Sequence, residues 1–192
     1  MKWRFLSAGA AATLLALAIG CGGSPTNATQ GASLSVMLKD SPFSDARAVL
    51  VTFSDVSVHT SGGGWSTLPF SGGATSRTCD LKQLSSAQDV LGTGPLPAGH
   101  YTQLRVTVTS AVLYFDNAAG SGPCAATIGA PAGRNAPIDI ASGQVILNRE
   151  FDLSGTAATS MLVDFDGDKS ITQTGNGAYR MSPVVAIVSV QQ

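Results

Sequence analysis

The sequence predicts an all-β fold: a β-sandwich of immunoglobulin or prealbumin type with seven or more short strands and at most one short helix. Apolar and polar residues alternate with period two through most of the chain, as in Leu34, Val36 and Leu38 and again in Leu104, Val106 and Val108. The 22 Gly and 9 Pro residues punctuate these alternating runs. Charged residues make up 12% of the chain, against about 25% in a typical soluble domain. Its solvent faces must therefore rely on Ser, Thr, Asn, Gln and Gly, which suit exposed strand faces and turns. A hydrophobic fraction of 44% over 192 residues is enough for the core of one domain.

Each element follows from the same reading. Leu34, Val36 and Leu38 share the core face of a first strand. Val49, Val51 and Phe53 share a face of the second, and Val56 and Val58 continue it with the parity switched, which predicts a β-bulge or bend near Ser54 and Asp55. Gly62, Gly63 and Gly64 then turn the chain into Trp65–Leu68, so residues 48–68 form a hairpin. The one helical stretch runs from Asp80 to Leu91, with Leu81, Leu84, Val90 and Leu91 near one face and Asp80 placed to cap the first turn. One or two turns are expected of it. Residues 92–99, dense in Gly and Pro, read as a turn. They lead into the clearest strand, with Leu104, Val106, Val108, Val112 and Tyr114 on one side and Gln103, Arg105, Thr107 and Thr109 on the other. Residues 116–136 read as a long surface loop. Further strands follow near 137–141, 144–153 and 158–166. The closing run from Tyr179 to Val190 is apolar on both faces between Val184 and Val188 and is expected to be a central, buried strand.

Residues 1–20 read as a helical lipoprotein signal peptide. Lys2 and Arg4 form a positive start, and Phe5 to Ile19 is apolar apart from Ser7, Gly9 and Thr13. This stretch is too short and Ala-rich for a comfortable span, which needs about 20 strongly apolar residues. It ends Leu17-Ala18-Ile19-Gly20-Cys21, which resembles the bacterial lipobox, in which the Cys receives a diacylglyceryl thioether and becomes the new N-terminus. Ala18 departs from the large aliphatic residue usual at that place; the alternative is an ordinary signal peptide cut near Gly20. Residues 21–33 form the lipidated Cys21 and a flexible tether without charge or large apolar side chains, and residues 34–192 a single sandwich domain. The expected location is exported and membrane-anchored through the lipid on Cys21. Gly22 after the Cys favours the outer membrane or the cell surface. With Cys21 assigned to lipid, Cys79 and Cys124 remain as an even pair in an oxidising compartment and are expected to form a disulfide; the alternative is two separate buried thiols.

Without the leader, nine basic side chains face twelve acidic ones, a net charge of −3, and the basic residues are spread singly from Lys39 to Arg180. Nucleic acid needs a phosphate-neutralising patch, so that partner class is excluded. Asp164, Asp166 and Asp168 have the one-three-five spacing of a calcium loop, but Lys169 and Gly175 stand where an EF-hand needs Gly and Glu. A solvated strand face is the better reading of the three, with another kind of calcium site as the alternative. His59 and His100 are each isolated beside turns, without further ligands at zinc spacing. There is no Gly-x-Ser-x-Gly elbow, and no cofactor is expected. An enzymatic reading would need carboxylates from Asp40, Asp55, Asp80, Asp164 and Asp166. A glycan-binding reading would use Trp65 and Tyr179 as platforms.

Four segments, in order, carry a resemblance: Leu38-Lys39-Asp40-Ser41-Pro42; Val51 to Val58 followed by Trp65; Leu96-Pro97-Ala98-Gly99-His100-Tyr101; and Val163-Asp164-Phe165-Asp166 with Ser170-Ile171 and Tyr179 to Val184. Together they resemble the domain-of-unknown-function 4382 family of bacterial and archaeal envelope lipoproteins, over residues 33–190. The third segment recurs in prealbumin-like sandwiches, where the turn sends an aromatic residue into the core. The resemblance implies a sandwich and an envelope location, and it supplies no catalytic residues. Lys39 and the Cys-bearing loop at 116–136 depart from the family pattern. The expected function is therefore a non-enzymatic interaction or structural module, held at a membrane, with a protein or glycan partner.

Overall fold

The computed structural model describes residues 31–192 apart from Pro42 and Thr156. The expected signal peptide, Cys21 and the tether up to residue 30 lie outside the described residues. In chain order the elements are β1 (Ala32–Ser41), β2 (Ala48–Thr60), β3 (Trp65–Thr67), a 3-10 turn (Ser71–Gly73), β4 (Arg77–Asp80), α1 (Leu81–Leu84), β5 (Asp89–Leu96), β6 (Gly99–Tyr114), β7 (Cys124–Ala125), β8 (Asn135–Ile140), β9 (Gln144–Leu153), β10 (Ala158–Asp166), α2 (Gly167–Ser170), β11 (Ile171–Gln173), β12 (Tyr179–Met181) and β13 (Val185–Gln191).

These strands form an all-β sandwich. The smaller sheet has the order β13-β10-β1-β5, and the larger β11-β12-β8-β6-β2-β4-β7, with β3 added to β2 and β9 to β6. β1 with β10 and β12 with β8 are parallel pairs; the other pairings are antiparallel. Alternation places the core between the sheets: Leu34, Val36 and Leu38 from β1 and Met161, Val163 and Phe165 from β10 face Val49, Val51, Phe53, Leu104 and Val106. Phe53 and Phe165 meet edge to face across the sheets, with ring centroids 6.1 Å apart. The parity switch in β2 is a pair of register shifts on either side of Phe53, against β6. Tyr101, at the start of β6, is fully buried, stacks on Phe151 at 5.4 Å and donates its hydroxyl to Pro97 O at 2.7 Å.

The loop at 116–136 covers the outer face of the larger sheet. Ile128 packs there with Ala48, Leu50 and Tyr114 as a second small apolar cluster. Cys79 and Cys124 sit directly opposite each other on β4 and β7 and form a disulfide, which pins this loop.

Four sequence expectations are corrected. Val112 and Tyr114 do not share a side with Leu104, Val106 and Val108: a register shift at Thr109 turns Ala111 and Leu113 into the core and leaves Val112 and Tyr114 with the outer cluster. The helix, Leu81–Leu84, has one of the one or two turns expected, but it is not alone: the structure has a second four-residue helix, α2. The segment expected to finish the first helix and then turn is instead strand β5, paired antiparallel with β1. Its glycines answer to crowding rather than to a turn: a Cβ on Gly94 would lie 2.8 Å from Pro69 Cδ, and one on Gly92 3.3 Å from Leu68 Cβ. The register shift between Val36 and Met37 accommodates the extra residue of β5. The closing run is not one central strand. It divides at Pro183 into β12, in the larger sheet, and β13, at the edge of the smaller one, where Val188 is 51% exposed. Val185, Ile187 and Val190 reach the core, while Val184 and Val188 stay in solvent.

Candidate functional site

One end of the sandwich gathers four connections: 43–47 between β1 and β2, 115–118 after β6, 134–136 leading into β8, and 177–179 leading into β12. Phe43 and Ala46 are buried and anchor the first connection, leaving Ser44, Asp45 and Arg47 exposed. Arg47 N donates to Tyr114 O at 2.7 Å and Phe115 N to Arg134 O at 3.0 Å, so the ladder between β2, β6 and β8 fixes where these side chains emerge. Asp116 accepts from Arg134 N at 2.7 Å, Nε at 3.1 Å and Nη2 at 3.0 Å. These bonds, the backbone one foremost, hold the Asp116 carboxyl below the usual carboxylate range. Gly133 is required beside them: its φ is +100°, and a Cβ there would lie 2.7 Å from Asp116 Oδ2.

Aromatic rings line this end. Tyr179 meets the edge of Phe43 at 6.3 Å and lies tilted against Phe115 at 5.9 Å. The Arg134 guanidinium stands 5.9 Å from the Phe115 ring centre. Two shallow depressions share Asp45 and Phe115 as a common wall. One, of about 430 Å³, adds Ser44, Arg47 and Lys82; the other, of about 610 Å³, adds Arg134, Asn135 and Tyr179.

The family model of a domain of unknown function, DUF4382, matches residues 31–183. The chain belongs to this family. No curated protein and no solved structure matches the chain. The four segments that carry the resemblance fall within the matched span except for Val184, the last residue of the fourth, and β13 lies beyond it.

In this DUF4382 domain the carboxylates singled out in the sequence, Asp168 excepted, are held by structure. Asp164 pairs with Lys39 at 3.1 Å across the parallel β1–β10 pair, so Lys39 is tied down at its tip. Asp166 caps α2, accepting from Lys169 N at 3.0 Å and Lys169 Nζ at 2.6 Å, bonds that hold its carboxyl below the usual range. Asp168 is exposed in the first turn of α2. Among the described residues no group of three His, Cys, Asp or Glu side chains is arranged to hold a metal ion. Asp55 accepts from Arg105 Nε at 3.1 Å and Ser57 Oγ at 2.8 Å. Asp80, fully buried, accepts from Val49 N, Lys82 N and Gln83 Nε2 and caps α1 as expected. Asp40 is buried and accepts from Gly167 N at 3.0 Å, while its Oδ2 meets no hydrogen-bond partner among the described residues. Burial foremost, with the Asp164 and Asp166 charges, raises its pKa to about 7 against the opposing pull of the Gly167 bond and Lys82.

Trp65 and Tyr179 part company. The Arg105 guanidinium covers the Trp65 ring at 4.3 Å, and His59 lies against it at 5.1 Å. Tyr179 instead lines the larger depression. His59 Nδ1 lies 3.3 Å from Thr102 Oγ1, and His100 Nδ1 2.8 Å from Asp152 Oδ1. Arg47, Lys82, Phe115 and Arg134 went unread in the sequence. No local spacing joins them, because only the strand order brings positions so far apart to one end.

Proposed function

We propose that the chain is a lipid-anchored protein of the cell envelope whose sandwich acts as a non-enzymatic interaction module. The polarity of β1 carries this reading. The chain arriving from Cys21 enters the sandwich at Ala32, whereas the aromatic and cationic depressions lie beyond Ser41, at the other end of the same strand. Ten extended residues separate the two ends by about 30 Å at about 3.3 Å per residue. A domain tethered at one end and furnished at the other presents its recognition surface away from the membrane. The engagement of Asp55, Asp80, Asp164 and Asp166 by backbone and cations supports a binding role over a hydrolytic one, because a catalytic carboxylate must face its substrate.

The test is membrane fractionation of cells producing the full-length protein and its Cys21→Ser variant. The parent should remain with membranes through a high-salt wash, and the variant should leave them. Equal retention of both would overturn the anchor.

A further inference from the structure

We infer that the two depressions around Phe115 form one binding site for an acidic oligosaccharide. In it Arg47 and Lys82 would receive a sugar carboxylate, while Tyr179 and Phe115 would carry an adjoining sugar ring. The inference rests on the interaction-module reading and names its ligand class.

The distribution of charge points to this place. Of the nine basic side chains in the described residues, six are in ion pairs with carboxylates; Arg47, Lys82 and Arg149 are not. Two of those three line the smaller depression. Lys82 Nζ donates to Phe43 O at 2.9 Å, which holds the ammonium in position without an ion-pair partner among the described residues. Arg47 is exposed, and its planar fork suits a carboxylate. The one carboxylate lining that depression, Asp45, accepts from Ser44 Oγ at 3.1 Å. The chain as a whole is acidic, but screening confines electrostatic influence to roughly 8 Å at physiological salt, so the local balance governs.

The second depression supplies what a sugar needs besides charge. Tyr179 is half-buried and propped by Phe43 and Phe115, so its ring is fixed before any ligand arrives. Aromatic rings with a polar edge accept the apolar C–H face of a pyranose at one side and its hydroxyls at the other. Asn135 supplies both a donor and an acceptor, Asp45 an acceptor, and Arg134 a donor fork held by Asp116. Both depressions are shallow, and they adjoin at Asp45 and Phe115, which line both. Small-molecule pockets are enclosed and mostly apolar; this arrangement instead fits an extended chain of polar rings that lays one unit in each hollow.

The experiment titrates the full-length protein, purified from whichever cell fraction holds it, with a linear hexamer of galacturonic acid and with maltohexaose as the neutral control. The acidic hexamer should bind, the neutral one should not, and raising salt from roughly 50 to roughly 500 mM should weaken binding about tenfold or more. Arg47→Glu should weaken it at least about tenfold, while Arg149→Glu, which alters an unpaired cation in a different depression, should leave it within about twofold. Unchanged thermal unfolding of Arg47→Glu shows that its loss is local. Absence of binding, equal binding of the neutral hexamer, or equal loss in the two variants would overturn the inference. The fraction in which the protein is found tests the anchor independently.

Discussion

Asp40 accepts a hydrogen bond from Gly167 N at 3.0 Å, joining the end of β1 to the first residue of α2 across 127 positions of sequence. The carboxyl is buried, and the carboxylates of Asp164 and Asp166 on β10 act on it together with the Lys82 ammonium on α1. Its pKa near 7 in the fold, against 3.8 as the ordinary value, fixes the direction of a pH effect. The folded protein holds this proton more tightly than the unfolded chain. The stabilisation is therefore complete below the unfolded value and is lost as pH rises through the folded one. Melting temperature should fall between about pH 4.5 and about pH 7, and Asp40→Asn, which keeps the acceptor for Gly167, should flatten that slope. A slope equally steep in Asp40→Asn would remove Asp40 as its cause.

Gly94 offers a packing test. A Cβ there would lie 2.8 Å from Pro69 Cδ, whereas one on Gly64 meets nothing within 4 Å. Gly94→Ala should lose about 1–3 kcal/mol in denaturant unfolding through overpacking, and Gly64→Ala should stay within about 0.5 kcal/mol of the parent.

The disulfide closes a separation of 45 residues. Cys79→Ser with Cys124→Ser should cost about 3–4 kcal/mol if the constraint on the unfolded chain dominates. Asp89 still accepts from Cys124 N at 3.1 Å and pairs with Arg77 at 3.2 Å, so the loop should keep its place in the double variant. Thiol counting on unreduced, denatured parent should find neither Cys79 nor Cys124 reactive.

Phe165 is fully buried against Phe53 between the sheets. Phe165→Ala should destabilise the fold by about 3–5 kcal/mol. Tyr179→Ala removes a half-buried ring at the end of the sandwich and should cost less, so comparing the two melts separates core from site.

The strands are legible wherever burial is one-sided, because period two then writes itself into the residues: β1, β10 and the bulge expected near Ser54 and Asp55, found on either side of Phe53, are cases of this. β5 was missed because its glycines accommodate the crossing of Leu68 and Pro69, and a close approach looks in sequence like a turn. The edge position of β13 was missed because apolarity on both faces does not distinguish burial from an exposed Val188. At the candidate site Tyr179 had been named, but its neighbours Arg47, Phe115 and Arg134 come together only through the order of β2, β6, β8 and β12.

β1 is the first strand of the sandwich and lies between β10 and β5, with its parallel partner β10 supplied about 125 residues later, as the Lys39–Asp164 pair shows. Long-range pairings of this kind form late, because the closure entropy of the intervening chain must be met before any contact repays it. In a chain made N-terminus first, the smaller sheet cannot close until residues 158–166 have emerged, whereas β2, β4 and β6 of the larger sheet have all their residues by position 114. The topology thereby makes the place of the first strand depend on one of the last, so a chain truncated before β10 lacks the partner that holds β1 in the middle of its sheet.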